Sequence, residues 1–462
     1  MTRQIRLTLN LQSTGRHDAA WKTLAPTTDW IDGIDYFAGI ARIAEAGRFD
    51  AIFVADRLGG LDRTGSVRPW RGLDPTVLLA ALARETSHIG LASTNPAIHG
   101  NPFLLARQIA SLDHVSRGRA AWNIITSQEP GTLRALGKPE GAVLDERERY
   151  AAAEEFVSLV DGFWRSLPPE AVVADAAADR YIDERLTRPV DLRGEHFRGA
   201  GVLPLVGGYR GQRPVLFQAG TSRASKEFGA RWADALFTSQ RIPELSRAFV
   251  AEVRSLAEAN GRRREELLVL PGLYVILGDT EAAAAARKAE LDALLAVEPL
   301  VQALSDYLEF DVSGHDLDGE LPYGELAGPA SGSHATVRRR QLVEDARSRG
   351  LSIRQLLFNN LSGGQRVIVG TPEQVADDIE HWVDTDAADG FTINVDALPD
   401  GLHAVVDGLI AELQDRGRFR REYEHDTLRG NLGLGERGLG EKGPDERGLG
   451  AARPGAAALA GA

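Results

Sequence analysis

Residues 88–126, with the sequence HIGLASTNPAIHGNPFLLARQIASLDHVSRGRAAWNIIT, contain two strand-like runs separated by a helical stretch. The runs at 88–94 and 120–126 have the apolar composition of buried strands. The stretch at 102–115 has apolar residues at helical spacing and begins with a proline, which suits the first turn of a helix. A strand, a helix and a second strand in this order predict two parallel strands joined by a crossover helix.

The same alternation repeats along the chain. Further strand-like runs lie at residues 5–11, 51–55, 215–219, 235–238, 267–277 and 391–395, and helical stretches lie at 34–46, 75–84, 146–164, 222–233, 243–259 and 402–413. About eight such units predict an α/β protein with a (β/α)8 TIM barrel rather than a doubly wound sheet. We expect this barrel at residues 1–430, with insertions at about 168–213 and 281–365.

The last segment of the chain differs from the rest. Residues 431–462 contain no aromatic and no β-branched residue, and a GLGER-type repeat leads into a run of Ala and Gly. Such a composition buries too little apolar surface to offset the entropy of ordering, so we predict a disordered tail. The repeat matches the pattern GxGxxG at 433–438 and 438–443, but neither match follows a strand, which argues against a dinucleotide site there.

Composition excludes several classes of function. The chain has 462 residues and a formal net charge of −13, which argues against nucleic-acid and membrane-surface binding. It has no cysteine, so disulfides, thiolate catalysis and zinc–sulfur sites are excluded. No run approaches the ~20 apolar residues of a membrane span, and the first residues lack an apolar signal core. We therefore expect a cytoplasmic protein. No histidine or carboxylate spacing is typical of a metal site, and no metal is predicted.

Polar residues follow the predicted strands at their carboxyl ends. Asp56, Thr94 and Asn123 end three of the runs, and the sequence Gly-Thr-Ser at 220–222 ends another and begins a helix. In a parallel barrel these positions share the catalytic face. The backbone amides and hydroxyls at 220–222 suit a phosphate at the positive end of a helix dipole. The alternative is that Ser222 is only an N-cap and Asn123 a turn residue, but their shared face favours a binding site.

Three further residues are less distinctive from their positions alone. Tyr150 has helical spacing with Val157 and Trp164, which indicates a core residue. His17 and His315 stand alone in predicted loops. None of the three would be assigned a function from the local pattern.

Several segments together resemble the bacterial-luciferase-like flavin-dependent monooxygenases, and in particular the family of the nitrilotriacetate, pristinamycin and dibenzothiophene-sulfone monooxygenases. The resemblance covers residues from about 17 to 434. It rests on residues 47–56 (GRFDAIFVAD), 89–94 (IGLAST), 101–127, 215–222 (VLFQAGTS), 369–373 (VGTPE), 389–391 and 416–434.

The resemblance implies a TIM barrel that binds reduced FMN supplied by a separate NAD(P)H:FMN reductase, and that uses O2 to oxygenate a small organic substrate. It implies a homodimer or homotetramer. Cofactor contacts would be made by Asp56, Thr94, Asn123, Tyr150 and Ser222, with Asn123 beside the ring and Tyr150 and Ser222 at the phosphate. His17 and His315 match positions on the substrate side, where they would be catalytic. Glu146 stands four residues before the tyrosine, where relatives often have histidine and a flavin contact.

Two alternatives to this function remain within the same fold. One is an oxidoreductase that uses a deazaflavin coenzyme and transfers a hydride without O2. The other is a flavin-binding barrel without catalytic activity. A hydrolase is disfavoured, because the chain has neither metal-ligand spacing nor a GxSxG nucleophile elbow.

Overall fold

The computed structural model describes residues 3–25, 32–56, 69, 72–126, 128, 130–139, 142–326, 339, 342–344, 346–360 and 365–439. The strands are β1 Arg6–Asn10, β2 Ala51–Val54, β3 Gly90–Pro96, β4 Ala120–Ile125, β5 Val172–Asp175, β6 Arg180–Ile182, β7 Val190–Arg193, β8 Arg198–Gly201, β9 Val215–Ala219, β10 Ala235–Thr238, β11 Leu268–Leu277, β12 Arg366–Gly370 and β13 Gly390–Val395.

The α-helices are α1 Ile34–Ala46, α2 Pro75–Glu85, α3 Pro102–Ser116, α4 Pro130–Ala135, α5 Glu146–Ser166, α6 Arg223–Trp232, α7 Pro243–Ala259, α8 Glu281–Ala293, α9 Val297–Leu308, α10 Ile353–Asn360, α11 Pro372–Asp384, α12 Asp400–Ala404, α13 Ala411–Asp415 and α14 Leu428–Asn431, with a π-helical turn at Val405–Ile410. No helix within the described ranges combines the length and the apolar character that crossing a bilayer would need.

Eight parallel strands close into a barrel in the order β1, β2, β3, β4, β9, β10, β11, β13 and back to β1. Each of these strands corresponds to one of the apolar runs predicted above, so the TIM-barrel prediction is confirmed. β12 is an additional strand that pairs with the carboxyl half of β11, beyond the part of β11 that pairs with β10. Connecting helices cover the outside, as the alternation predicted.

Local signals set where the outer helices begin. The Asp74 carboxylate accepts hydrogen bonds from the first-turn amides of α2, and Asn101 caps α3 in the same way. Asp145 and Glu148 form a reciprocal capping box at the start of α5. Each cap satisfies amides that have no partner inside the helix, which explains why sequence predicts these starts closely.

The two halves of the barrel interior have opposite character. Near the amino ends of the strands the lining is apolar, and its members are Ala51, Phe53, Ala92, Ala121, Val215, Phe217, Ala235, Leu268 and Leu270. Near the carboxyl ends, positions of the same alternation are polar: Asn10, Thr94, Asn123, Tyr274 and Asn394. Because alternate residues of a strand share a face, the strand pattern itself separates an apolar floor from a polar upper chamber.

The two insertions have structure of their own. The insertion at 168–213 contains two antiparallel hairpins, β5–β6 and β7–β8. The described part of the insertion at 281–365 contains α8, α9 and α10, and its helices enclose a separate apolar cluster that includes Leu304, Leu308 and Leu356. The second insertion is rich in Gly and Pro, but buried leucines at helical spacing make its described part a small packed unit.

The predicted tail begins too early. Leu432, Leu434 and Leu439 are 1%, 4% and 3% exposed, and with Leu428 the first two close the apolar floor of the barrel. Further along the chain, Gly438 forms an isolated antiparallel β-bridge with Gln212. Residues 431–439 are therefore part of the folded molecule, because a few leucines suffice where the barrel bottom offers them an apolar surface. The rest of the predicted tail, 440–462, lies outside the described residues.

Candidate active site

The upper chamber brings together polar side chains from strands that are far apart in sequence. Asn123 Nδ2 donates a hydrogen bond of 3.0 Å to Thr94 Oγ1. Across the chamber, Asn10 Nδ2 donates to Asn394 Oδ1 at 2.6 Å. Thr94 and Asn123, both predicted to lie at this end of the barrel, are 3% exposed and in direct contact.

Several atoms of this chamber are buried with their hydrogen-bonding capacity unused. Within the described part of the chain, Asn10 Oδ1, Asn123 Oδ1, the Tyr274 hydroxyl and Gln365 Oε1 have no hydrogen-bond partner. A buried polar atom left unpaired costs about 1–3 kcal/mol, so a group of them indicates a ligand that supplies the missing partners. A reduced flavin ring carries both N–H donors and carbonyl acceptors, and these residues therefore fit the cofactor that the resemblance implies.

Asp56 lies at the same end of the barrel. It follows β2 by two residues and is half-buried, beside the run 51–54 that lines the barrel wall. Its neighbours from residue 57 onward lie outside the described residues. That Asp56 borders the chamber stays a prediction.

The start of α6 forms a second polar region at the end of β9. Ser222 is the N-cap, and its Oγ accepts a hydrogen bond of 3.3 Å from the Ser225 amide. Gly220 has φ +150°, and a Cβ there would lie 2.0 Å from Ser225 Oγ, so this turn requires glycine. The capping role weighed for Ser222 is present, and the first-turn amides without an intrahelical partner favour an anion at this helix end.

Tyr150 and Glu146 lie on the first turns of α5, beside α6. The Tyr150 ring packs against Phe228 of α6, with 5.6 Å between ring centroids. The Arg149 guanidinium lies 5.2 Å from the centroid of the Tyr150 ring and donates a hydrogen bond of 3.3 Å to the Thr126 carbonyl. Tyr150 is thus partly a packing residue, as its spacing indicated, while standing next to the end of β4.

Glu146 has a cationic neighbour in this region. Its Oε1 lies 3.8 Å from Arg149 Nη2, on the same face of the helix. Sequence reasoning missed Arg149, although the three-residue spacing from Glu146 in the first turn of a helix is a recognisable signal for such a pair. The region therefore offers a guanidinium whose charge Glu146 partly neutralises.

His17 lies in the loop that follows β1 and is 3% exposed. Its amide donates to the Asp396 carbonyl at 2.9 Å, which attaches the loop to the end of β13. Its Nδ1 accepts a hydrogen bond of 3.2 Å from the Ala19 amide, and Nε2 lies 3.1 Å from Asp292 Oδ1 of α8. Because Nδ1 is an acceptor, the neutral ring carries its proton on Nε2 and donates it to Asp292.

Asp292 is held as an anion in this contact. Burial alone would raise its pKa, but the hydrogen bonds from His17 and Lys288 prevail and lower the pKa below its ordinary value. Both nitrogens of His17 are therefore engaged with the protein. The geometry fits a side chain that fixes residues 16–19 against α8 at the chamber mouth.

Tyr274 is a chamber residue that sequence reasoning missed. It lies within the apolar run LVLPGLYVIL of β11, whose other face packs in the core. Burial, with Asp396 nearby, raises the pKa of Tyr274 well above its ordinary value, so the hydroxyl stays protonated at neutral pH. The signal was its parity with Leu268 and Leu270, which places it on the interior face.

His315 lies apart from these residues. Its ring is 5.6 Å from that of Phe310, and its amide donates to the Val312 carbonyl at 3.2 Å, so its contacts are inside the helical insertion. His315 belongs to the segment 311–340, of which residues 327–338 and 340 lie outside the described residues. Val312 and Leu321 are buried in the core of the insertion, which anchors the described part of the segment.

The described residues hold no cluster of three or more His, Asp or Glu side chains arranged to bind a metal ion.

Comparison with known proteins agrees with the barrel fold. The sequence profile of the family described as luciferase-like monooxygenase matches residues 7–389. The N-acetyl-S-(2-succino)cysteine monooxygenase of Bacillus subtilis (strain 168) is 38% identical over 436 residues, which cover 94% of this chain and 97% of that protein. The nitrilotriacetate monooxygenase component A of Aminobacter aminovorans is 38% identical over 446 residues, with the same coverage.

A solved structure has the same architecture. The EDTA monooxygenase from Chelativorans sp. BNC1 superimposes with a TM-score of 0.78 and 34% sequence identity, covering 95% of this chain and 100% of that one. The likeness thus extends over the barrel and its insertions.

Proposed function

Since the chain belongs to the luciferase-like monooxygenase family, we propose that it uses reduced FMN from a separate NAD(P)H:FMN reductase, together with O2, to oxygenate a small organic substrate. The family membership inferred from the sequence motifs is confirmed, and the enzyme class is that of a flavin-dependent monooxygenase. Reduced FMN, when bound, supplies two electrons, so that one oxygen atom enters the substrate and the other leaves as water.

The observation that carries the proposal is the buried, unpartnered Asn123 Oδ1 in the upper chamber. Thr94 holds the other side of this amide through a 3.0 Å hydrogen bond, so the oxygen is fixed in direction before a ligand enters. An acceptor fixed in this way binds a ring N–H without loss of side-chain entropy. Asn10 Oδ1 offers a second such acceptor, and Asp56 borders the same chamber.

The phosphate of FMN is assigned to the start of α6. The Ser222 hydroxyl and the amides that follow Gly220 are the donors there, at the positive end of a ten-residue helix. Tyr150 packs on the side of the same helix, and Arg149 next to it supplies positive charge. Glu146 reduces that charge, so we assign it the role of tuning phosphate affinity rather than contacting the flavin.

His17 is proposed to act on the substrate side of the chamber. Its contacts with Ala19 and Asp292 hold the loop 16–19 in place, which makes it a positioning residue for the substrate. Tyr274, protonated and buried nearby, can donate a hydrogen bond into the chamber. His315 is proposed to reach the substrate side through the insertion. The insertion attaches to the barrel through α8, whose Arg287 pairs with Asp396 after β13.

Water exclusion is the other task of the chamber. The floor is sealed by Leu428, Leu432 and Leu434, so access is from the carboxyl end of the strands. A closed apolar floor keeps water from entering on this side, which limits side reactions with water. The helical insertion is proposed to restrict the remaining entrance.

The partner and setting follow from this chemistry. One relative carries the words component A in its name, which supports a system in which another protein reduces the flavin. A reductase that uses NAD(P)H places the reaction in the cytoplasm, and we propose a homodimer or homotetramer as the working assembly. The relatives' names point to carboxylated thioethers and amines as the first substrates to assay.

The experiment is an oxygen-electrode assay with the purified full chain, NADH and FMN. We expect no NADH oxidation above background until an FMN reductase is added, and then oxygenation of one member of a panel of carboxylated thioethers and amines. Parallel assays with a reduced deazaflavin coenzyme should give no turnover. Rapid NADH oxidation by the chain alone, or hydride transfer from the deazaflavin without O2, would refute the proposal.

A further inference from the structure

A cluster of arginines lies at the amino end of the barrel, opposite the candidate active site. Asp234, which immediately precedes β10, accepts hydrogen bonds from Arg213 Nη2 and Arg429 Nη2, both at 2.9 Å. Arg437 Nη1 lies 3.5 Å from the same carboxylate. The side chains of Asp234 and Arg213 are 1% and 0% exposed, so these charges are inside the protein.

Positive charge is in excess here. Burial alone would raise the pKa of Asp234, but four guanidinium groups lower it well below its ordinary value, and these belong to Arg213, Arg429, Arg437 and Arg262. Burial, and next the neighbouring Arg437, lower the pKa of Arg213. Burial also lowers the pKa of Arg262 to about 10. Glu266, 4.0 Å from Arg262, offsets one of these charges, so two carboxylates stand against four guanidinium groups.

A cavity of about 50 Å³ adjoins the cluster. Asp234, Arg429 and Arg437 line the cavity together with residues 434–436, of which Glu436 is exposed, and with Arg263 and Glu266, which pair at 2.8 Å. In the described ranges, Nε of Arg429 and both Nε and Nη1 of Arg213 are buried without a hydrogen-bond partner. The Arg429 side chain is 9% exposed, so its unused donor is not satisfied by bulk water.

We propose that this cavity binds a small inorganic anion of the size of chloride. Such an anion would accept from the unused Nε–H of Arg429, whose side chain lines the cavity, and reduce the repulsion between the arginines. A larger organic anion would not fit the volume. Arg429 and Arg437 belong to the C-terminal segment, whereas Asp234 and Arg213 belong to the barrel, so the anion would fasten the segment that closes the floor.

The test compares thermal unfolding of the full chain in sodium chloride and in sodium gluconate at equal ionic strength. Gluconate is too large for the cavity, and the chloride sample should melt higher by ~2–4 °C. Crystals soaked in bromide should give an anomalous peak beside Arg429. Equal melting temperatures in the two salts, or an empty cavity in the bromide data, would mean that water satisfies these donors and would overturn the proposal.

Variants separate this site from general salt effects. Arg437→Gln should remove the chloride-specific shift. If that variant does not fold, Arg263→Gln, at the exposed rim, should reduce the shift while leaving the fold intact. Arg223→Gln is the matched control, because Arg223 is 89% exposed and pairs on the surface with Glu227. A chloride shift that persists in Arg263→Gln and Arg437→Gln would contradict the site. Because the cluster lies away from the chamber, the result does not depend on the proposed oxygenation.

Discussion

Asn123 Nδ2 and Thr94 Oγ1 are joined by a 3.0 Å hydrogen bond between two residues that are in register on β4 and β3. The bond uses one side of the amide and leaves Oδ1 buried without a partner in the described structure. The ligand-free protein therefore carries a local cost that a flavin ring would remove. This relationship leads to the first prediction.

Asn123→Leu, which keeps the size of the side chain, should weaken reduced-FMN binding by about ten- to a hundredfold, the value of one or two hydrogen bonds to a ring. The same change should alter the unfolding free energy of the ligand-free protein by less than about 1.5 kcal/mol, because it removes an unsatisfied buried oxygen and, with it, the hydrogen bond to Thr94. Anaerobic titration and chemical denaturation measure the two effects. Thr94→Ser, which retains the hydroxyl, is the control. An affinity within twofold of the parent would contradict the assignment of Asn123 to the ring.

The Glu146–Arg149 pair predicts a difference between two flavins. Arg149→Gln should weaken binding of reduced FMN by about tenfold, whereas Glu146→Gln should strengthen it by about two- to fivefold, as expected for a partly exposed charge. Reduced riboflavin, which has no phosphate, should bind all three proteins alike. Arg147→Gln, on the exposed face of the same turn, should change neither affinity. Equal effects on both flavins would show that the phosphate does not bind in this region.

His17 is predicted to act through position. His17→Ala should lower the free energy of unfolding by about 1–3 kcal/mol, because the Ala19 amide loses its acceptor and Asp292 keeps only Lys288 as a side-chain donor. It should also raise the substrate KM and the fraction of O2 released as peroxide. His17→Gln, which can still donate to Asp292, should restore part of each property, and His403→Ala on the surface is the control. A variant of normal stability and KM with kcat reduced a thousandfold would instead indicate direct proton transfer by His17.

Asp113 predicts a pH dependence of stability. It is fully buried in α3 and accepts hydrogen bonds from the amides of Tyr209 at 2.7 Å and Ala120 at 3.2 Å. Burial raises its pKa to about 6 from an ordinary 3.8. A raised pKa in the folded state gives stability that is present below pH 3.8 and is lost as the pH rises through 6.

The difference between these pKa values corresponds to roughly 3 kcal/mol. Asp113→Asn should remove this contribution. Between pH 4 and 7 the parent should therefore lose roughly 3 kcal/mol of unfolding free energy relative to the variant. Urea denaturation at several pH values measures it. The absolute stability of the variant should be lower, because an amide cannot accept from both backbone donors as well as a carboxylate does. A difference between the two proteins that does not vary with pH would show that Asp113 has an ordinary pKa.

Two truncations test the C-terminal boundary. Ending the chain after Leu439 should leave the melting temperature within about 1 °C, since composition gives residues 440–462 little to bury. Ending it after Asn431 removes Leu432, Leu434 and Arg437, and should cost several kcal/mol at about 1.5–3 kcal/mol for each buried leucine. Differential scanning calorimetry compares them. Equal melting temperatures for the two truncations would mean that the floor is closed without this segment.

Much of the fold could be predicted because its signals are local. A buried strand is a short apolar run, and an outer helix begins at a cap such as Asp145 or Ser222, so both are read from neighbouring residues. The same alternation placed Thr94 and Asn123 at one end of the barrel. The residues that were missed, Arg149 and Tyr274, lie inside stretches whose dominant signal is helix or core, where one polar side chain does not change the pattern.

The barrel, the order of its strands along the chain, the end at which polar side chains gather and the family are all evident in the amino-acid sequence. The contacts between distant residues are evident only in the folded structure: His17 with Asp292, Asp234 with Arg429, and Leu428, Leu432 and Leu434 with the barrel floor. The physical reason is distance along the chain. Periodicity fixes the face on which a side chain lies, but contacts between residues 195 or 275 positions apart form only when barrel closure brings their elements together.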